Sequence, residues 1–317
     1  MSFDNEFIKW FKDNFGNDVD FNCPMSKYTR FKAGGEAYAV VSVKYVKEAK
    51  KVIKFCLNNR IKYFVMGKGT NLLVKDTGFS GVVIQILDKS GRILIKEQNR
   101  QSVKIAVTSG TTMAAVCSFA IKNGFLGFNF ALGIPGTMGG GIMMNAGSDI
   151  GSMGDIVESI GILTPSGHYK TLNKGYLNFS YRKLELINIG SGLPTSNKHI
   201  IASCMLSLML SDKKTVREEA VAVINKRKAS QPREFCSAGC FFKNPINSKY
   251  FAGQLIELCG LKGRAVGGAA VSEKHGNFIV NRNRATANDI ITLQKIIQKE
   301  VYDRYQIFLE PEVIIVG

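Results

Sequence analysis

The 317-residue chain carries 42 lysines and arginines against 25 aspartates and glutamates, a net charge of +17. Hydrophobic residues make up 45% and charged residues 21%, a balance that fills packed cores and excludes a disordered polyelectrolyte. At roughly 150 residues per domain the length suits two domains.

No apolar run reaches the roughly 18 residues of a membrane-spanning helix; the longest candidate, residues 200–210, is interrupted by Ser203 and Ser207. The opening MSFDNEFIKWF has acids where a secretory leader has basic residues ahead of an apolar block, so export is not expected. Seven cysteines (Cys23, Cys56, Cys117, Cys204, Cys236, Cys240 and Cys259) form an odd, scattered set without C-x-x-C spacing. That argues against a disulfide framework or zinc cluster and fits a reducing cytoplasm. His168, His199 and His275 lie too far apart in sequence to propose a metal site.

In chain order, Val46, Ala49, Val52, Ile53 and Cys56 recur at helical spacing, predicting a helix over 46–59 that leads into a strand over 63–66. Apolar runs at 82–86, 93–95 and 105–107 predict strands, and residues 113–123 a second helix, in a mixed α/β pattern punctuated by glycine. Helical periodicity returns at 216–227, 252–259 and 288–305, before a final strand over 313–316. The polar stretch 188–198 is expected to be a long loop, and the charged region 211–219 a domain boundary. The positive charge is spread along the chain, much of it on helix faces such as Lys44, Lys47, Lys50, Lys51 and Lys54. It is compatible with an anionic ligand without demonstrating one.

Two glycine-rich segments stand out. Residues 66–73 (MGKGTNLL) follow a predicted strand; main-chain N–H groups of Gly67, Lys68, Gly69, Thr70, Asn71 and Leu72 could cradle a diphosphate, or form an ordinary tight turn. Leu72 stands where G-x-G-x-x-G requires glycine, and no G-x-x-x-x-G-K-[ST] string occurs, which disfavours Rossmann and P-loop readings. The second segment contains Gly133, Ile134, Pro135, Gly136, Thr137, Gly139 and Gly140, then Asn145, Ala146 and Gly147. So many glycines in an apolar stretch cost backbone entropy and are expected where a ligand lies against main chain.

Together these loops resemble the flavin-binding segments of the UDP-N-acetylenolpyruvoylglucosamine reductase family. Seven further motifs stand in the family's order: residues 28–35 (YTRFKAGG); 76–84 (DTGFSGVVI); the pair Tyr181-Arg182; Gln231-Pro232 with 237–245 (SAGCFFKNP); 252–261 (AGQLIELCGL); 272–278 (SEKHGNF); and 309–313 (LEPEV). The first 27 residues and residues 183–226 match loosely.

The resemblance implies an α+β fold: a two-subdomain FAD-binding domain (PCMH/vanillyl-alcohol-oxidase-like) over 1–211, divided near residue 90, followed by a smaller α/β substrate-binding domain over 212–317. Its last strand, bearing Glu312, is expected to return to the active site. The chain's length fits the family form without an extra tyrosine-bearing loop that closes on substrate.

The implied reaction belongs to peptidoglycan precursor synthesis: NADPH reduces FAD, and the flavin passes hydride to the enolpyruvyl ether of a UDP-sugar. The loop residues named above would bind FAD. Arg182, a permanent planar cation, would hold the substrate carboxylate; from the residue alone a surface salt bridge is the favoured reading. Glu312 would polarise the enolic intermediate, with Glu310 the weaker candidate.

Cys240 stands where the family usually has serine, as the acid that protonates the α-carbon; a thiol at about pKa 8.5 is the stronger acid and the poorer hydrogen-bond donor. A buried inert cysteine is the competing reading. Tyr181, Arg227, Gln231, Lys243 and Asn244 fall by resemblance in the substrate site, although Lys243 and Asn244 could instead cap local backbone. The expected partners are the UDP-sugar and NADPH; no nucleic acid, membrane or obligate protein partner is expected. Two rivals remain: another FAD oxidoreductase on the same scaffold, whose loops would match without the 240–245 and 310–313 motifs, and a basic nucleic-acid-binding protein, for which the glycine loops have no use.

Overall fold

A computed structural model describes residues 5–88, 90–164, 167–187, 199–246 and 248–317. The stretch 188–198, expected as a long loop, lies outside the described residues. The chain divides into two compact units, Met1–Val40 with Gly69–Val83 and Lys228–Gly317, and Val41–Lys68 with Ile84–Arg227. The strands Glu36–Val43 and Phe79–Ile86 cross the division along the chain. These units draw on discontinuous segments, whereas the expected domains were cut in sequence order at about 90 and 211.

The second unit is built on an antiparallel sheet whose strands run Tyr169–Asn173, Val157–Leu163, Ile200–Leu210, Ser102–Thr108 and Ile93–Gln98 in spatial order. The short strand Phe125–Leu126 also pairs with Ile200–Leu210. Alternation produces this sheet: Val103, Ile105 and Val107 point to the core from Ser102–Thr108, as do Cys204, Leu206 and Leu208 from Ile200–Leu210.

Helix Met113–Asn123 closes one face. The Thr112 side chain accepts from Ala115 N at its start and Gly124, at φ 74°, ends it in the left-handed conformation. Helix Val46–Asn58 buries the expected stripe of Ala49, Val52, Ile53 and Cys56.

Residues 211–219, expected to separate domains, instead begin the helix Lys213–Ser230. Asp212 initiates it, its carboxylate accepting from Lys214 N and Thr215 N at 2.9 Å each. Asn129 then ties this helix into its own unit by donating to Val216 O at 3.0 Å and to the Glu219 carboxylate at 2.8 Å. The compact units part later, after Arg227.

In the first unit, helix Ala287–Tyr305 buries Ile290, Leu293, Ile297 and Val301 along one stripe. It packs with helix Ala252–Leu258 and the antiparallel strands Ala265–Val266, Ala269–Val271 and Ile279–Asn281 around Phe31, Leu73, Phe241 and Phe242. Its N-terminus is capped locally by Thr286 and Asp289 and again by Asp76, whose carboxylate accepts from Ala287 N and Asn288 N at 2.8 Å each. The C-terminal strand Ile314–Val316 pairs in parallel with Leu72–Val74, at the end of the first glycine segment. Glu312 therefore lies two residues before that strand.

An N-terminal helix, Asn5–Phe15, precedes these elements. It packs Phe7, Trp10 and Phe11 into an aromatic cluster with Phe15 and Phe21.

Candidate active site

The glycine segments first. A Cβ on Gly67 would stand 2.2 Å from the Thr137 Oγ1, so only glycine lets residue 67 lie against the second segment. Lys68 beside it is exposed, and Gln85 holds the Gly67 carbonyl with a 3.2 Å hydrogen bond. Gly69, Thr70, Asn71 and Leu72 belong to the other compact unit. There Asn71 donates through Nδ2 to the Glu312 carbonyl at 3.1 Å and accepts from Ile314 N at 3.1 Å. The side chain and carbonyl of Asn71 thus hold the main chain around Glu312.

In the second segment Gly133 lies against the Arg227 side chain, and Ile134 and Ala146 pack on the apolar core. Pro135 and Gly136 lead to Thr137, which precedes helix Met138–Met143. Gly139 is pressed onto Ser109, donating to its carbonyl at 2.8 Å, whereas a Cβ on Gly140 would meet only Thr137 Oγ1 at 3.7 Å. Part of the glycine content thus serves chain packing, and part leaves open space beside main chain. Ser109, which the sequence reading missed, is buried with its hydroxyl unpartnered among the described residues. The hydroxyl-rich run TSGTT at 108–112 was the available signal.

The second segment is also bonded to the Tyr181-Arg182 turn. Strands Leu177–Ser180 and Lys183–Leu186 form a hairpin whose two-residue connection is Tyr181-Arg182. Arg182 takes φ 59°, a conformation that favours glycine or asparagine and costs about 1–3 kcal/mol of backbone strain for other residues. Two hydrogen bonds tie this hairpin to the glycine segment: Asn145 Nδ2 to Ser180 O at 2.9 Å, and Arg182 to Gly147 O at 3.5 Å. Asn145 also accepts from Gly154 N at 2.9 Å. The Arg182 guanidinium lies 5.1 Å from the centroid of the exposed Tyr181 ring.

Arg227, expected at the substrate, lies by the second glycine segment and donates to Phe130 O at 3.2 Å. Gln231 is half-buried just after helix Lys213–Ser230.

The Cys240 segment lies in the first unit. Cys240 bridges Phe278, and Phe242 bridges Pro311 in antiparallel fashion. Glu312 N donates to Phe241 O and Lys243 N to Glu310 O, both at 2.8 Å. The neighbourhood of Cys240 and Glu312 is thus fixed by direct main-chain pairing. Cys240 is half-buried, and Lys243 pairs with the exposed Glu310, leaving Glu312 as the partly buried carboxylate. Asn244 accepts from Ala252 N at 3.1 Å and so caps the helix Ala252–Leu258.

His275 stands behind this segment. Burial pushes its pKa below the ordinary value of 6.5, against the opposing pull of Glu257. The neutral ring accepts at Nδ1 from Asn277 N at 3.1 Å.

Residues 231–316 match the UDP-N-acetylenolpyruvoylglucosamine reductase C-terminal domain family, and residues 37–173 match the FAD binding domain family. The chain is 42% identical over 315 residues to the UDP-N-acetylenolpyruvoylglucosamine reductase of Desulfosudis oleivorans, covering 99% of each chain. It is 37% identical over 318 residues to that of Clostridium tetani, covering 100% of this chain and 98% of the relative. It aligns with the crystal structure of UDP-N-acetylenolpyruvylglucosamine reductase from Thermus caldophilus with a TM-score of 0.77 at 32% identity, covering 93% of this chain and 98% of that one.

Proposed function

The chain belongs to the UDP-N-acetylenolpyruvoylglucosamine reductase family, and from that membership we propose that it reduces UDP-N-acetylglucosamine enolpyruvate to UDP-N-acetylmuramate for peptidoglycan synthesis. The residues present fit FAD: Gly140 leaves open space beside main chain, and the buried Ser109 hydroxyl beside Gly139 lacks a protein partner among the described residues. Gly67, Gly136, Thr137 and Gly140 would hold it. FAD, when bound, supplies the hydride, drawn from NADPH.

The chain's own residues supply the rest. Arg182 binds the substrate carboxylate and offsets the negative charge that grows on it as the vinyl β-carbon gains hydride. Support for this role is the strained turn conformation, held to the glycine segment through Asn145 and Gly147. Cys240 Sγ–H gives its proton to the α-carbon, and the resulting thiolate regains a proton from solvent. Glu312 hydrogen-bonds the enolic form. The observation that carries the assignment is the direct pairing of the two segments, Glu312 N on Phe241 O at 2.8 Å. Tyr181, Gln231, Lys243 and Asn244 would bind the UDP-sugar, with Arg227 beside the glycine segment.

We assign substrate binding to the C-terminal part that follows Arg227 and FAD binding to the chain before it, a later cut than the expected one at 211, and place the protein in the cytoplasm. Seven free cysteines and the absence, among the described residues, of a helix able to cross a membrane accord with that setting. The test is NADPH oxidation by the yellow holoprotein: consumption stoichiometric with the enolpyruvyl sugar nucleotide is expected. A flavoprotein indifferent to that nucleotide would instead act on another substrate.

A further inference from the structure

Among the described residues the main chain at 240–242 is paired through isolated bridges to Phe278 and Pro311 and not through a regular strand. Phe241 and Phe242 are nevertheless 0% and 1% exposed, so their N–H and C=O groups must be satisfied inside the protein. Each orphaned group would cost about 1–3 kcal/mol. Residues 310–312 serve one edge, accepting from Lys243 N and donating to Phe241 O.

The other edge is served by one residue. The Asn277 carbonyl accepts from Phe241 N at 2.7 Å, its Oδ1 accepts from Phe242 N at 2.9 Å, and its Nδ2 donates to Phe242 O at 2.8 Å. The side-chain amide presents a donor and an acceptor side by side, as a peptide group of a neighbouring strand does. The reciprocal pair also fixes its orientation, because a flipped amide would set donor against donor. Asn277 is itself 3% exposed, with its N–H directed onto His275 Nδ1.

We propose that Asn277 is a positioning residue for the protonation step: its side-chain amide replaces a missing strand, holds residues 241 and 242, and so sets the direction of the Cys240 Sγ–H bond. This rests on Cys240 being the proton donor. A small rotation of the 240–242 backbone swings a side chain of one rotatable bond away from its target, and general-acid catalysis depends on that alignment.

The test uses holoenzyme carrying Asn277→Asp, an isosteric change that keeps the acceptor for Phe242 N and loses the donor to Phe242 O, with Cys240→Ala beside it. NADPH should bleach the Asn277→Asp flavin at the parental rate, and the KM for the enolpyruvyl sugar nucleotide should stay within about twofold. Reoxidation by that nucleotide should slow at least tenfold, with a larger solvent deuterium isotope effect, because proton delivery has become limiting. Parental reoxidation and isotope effect in Asn277→Asp, with Cys240→Ala impaired, would overturn the positioning role alone. Parental reoxidation in Cys240→Ala would instead remove the proton-donor reading beneath it. Should Asn277→Asp fail to fold, hydrogen exchange on the parental holoenzyme decides: Phe241 and Phe242 amides should be among the slow set, and loop-like exchange at both would overturn the clamp.

Discussion

The second glycine segment and the Cys240 segment solve the same problem in opposite ways. Around Gly133–Gly141 the chain is shaped by what is missing: side chains give way so that Gly139 can rest on Ser109 and Gly67 can reach Thr137. Around Cys240 the chain is shaped by what is added, a buried amide that completes hydrogen bonding where no strand runs. A backbone bared by glycine can hold a ligand through its own N–H and C=O groups. A backbone clamped from both edges can aim a side chain.

Substitutions separate the two devices. The largest effect is expected at Gly67→Ala, where the new methyl would stand 2.2 Å from Thr137 Oγ1. The variant should lose most of its flavin, read as absorbance near 450 nm per mole of protein. The double variant Gly67→Ala/Thr137→Ala should recover part of it, and a fully loaded single variant would show that the close approach is dispensable.

Next in size is Leu293→Ala in the C-terminal helix. Leu293 is wholly buried, so its removal should cost about 2–5 kcal/mol in denaturant unfolding and lower substrate turnover only through the folded fraction. Turnover lost at unchanged stability would contradict a purely supporting role for the helix.

The smallest effect is pH-dependent. His275 has a folded pKa below its ordinary 6.5 because burial disfavours its charged form. Its contribution to stability is present above about pH 6.5 and is lost as pH falls through the folded value, since the unfolded state binds the proton first. Thermal unfolding between pH 7 and 5 should show this loss, and His275→Asn, which keeps an acceptor for Asn277 N, should flatten the slope. An unchanged slope would mean that His275 does not titrate in this way.

How far the sequence spoke depended on the range of the interaction. Helices with an apolar stripe, such as Val46–Asn58 and Ala287–Tyr305, are legible because their signal is local periodicity. Ile200–Leu210 is a central strand, yet its serines and cysteine made it read only as an interrupted apolar run. The charged stretch after it looked like a linker because the Asn129 bonds to Val216 and Glu219 come from nearly 90 residues away in sequence.

In the site, glycines and the motif around Cys240 are visible as letters, but their use is not. Asn71 reads as a cofactor ligand through its main-chain N–H, and the sequence does not show that its side chain and carbonyl hold Glu312 and Ile314. Asn244 reads as a substrate ligand, and its letter does not show that its Oδ1 also caps a helix. Asn277 sits in plain view beside Phe278, but its partner Phe242 lies 35 residues earlier.

The central claim is that the Cys240 thiol delivers the proton. Its direct test is single-turnover reoxidation of NADPH-reduced holoenzyme by the enolpyruvyl sugar nucleotide in the parent, Cys240→Ser and Cys240→Ala. The account predicts retained turnover with serine and a loss of about 10²–10⁴-fold with alanine, at parental rates of flavin reduction by NADPH. Parental reoxidation by Cys240→Ala would contradict it.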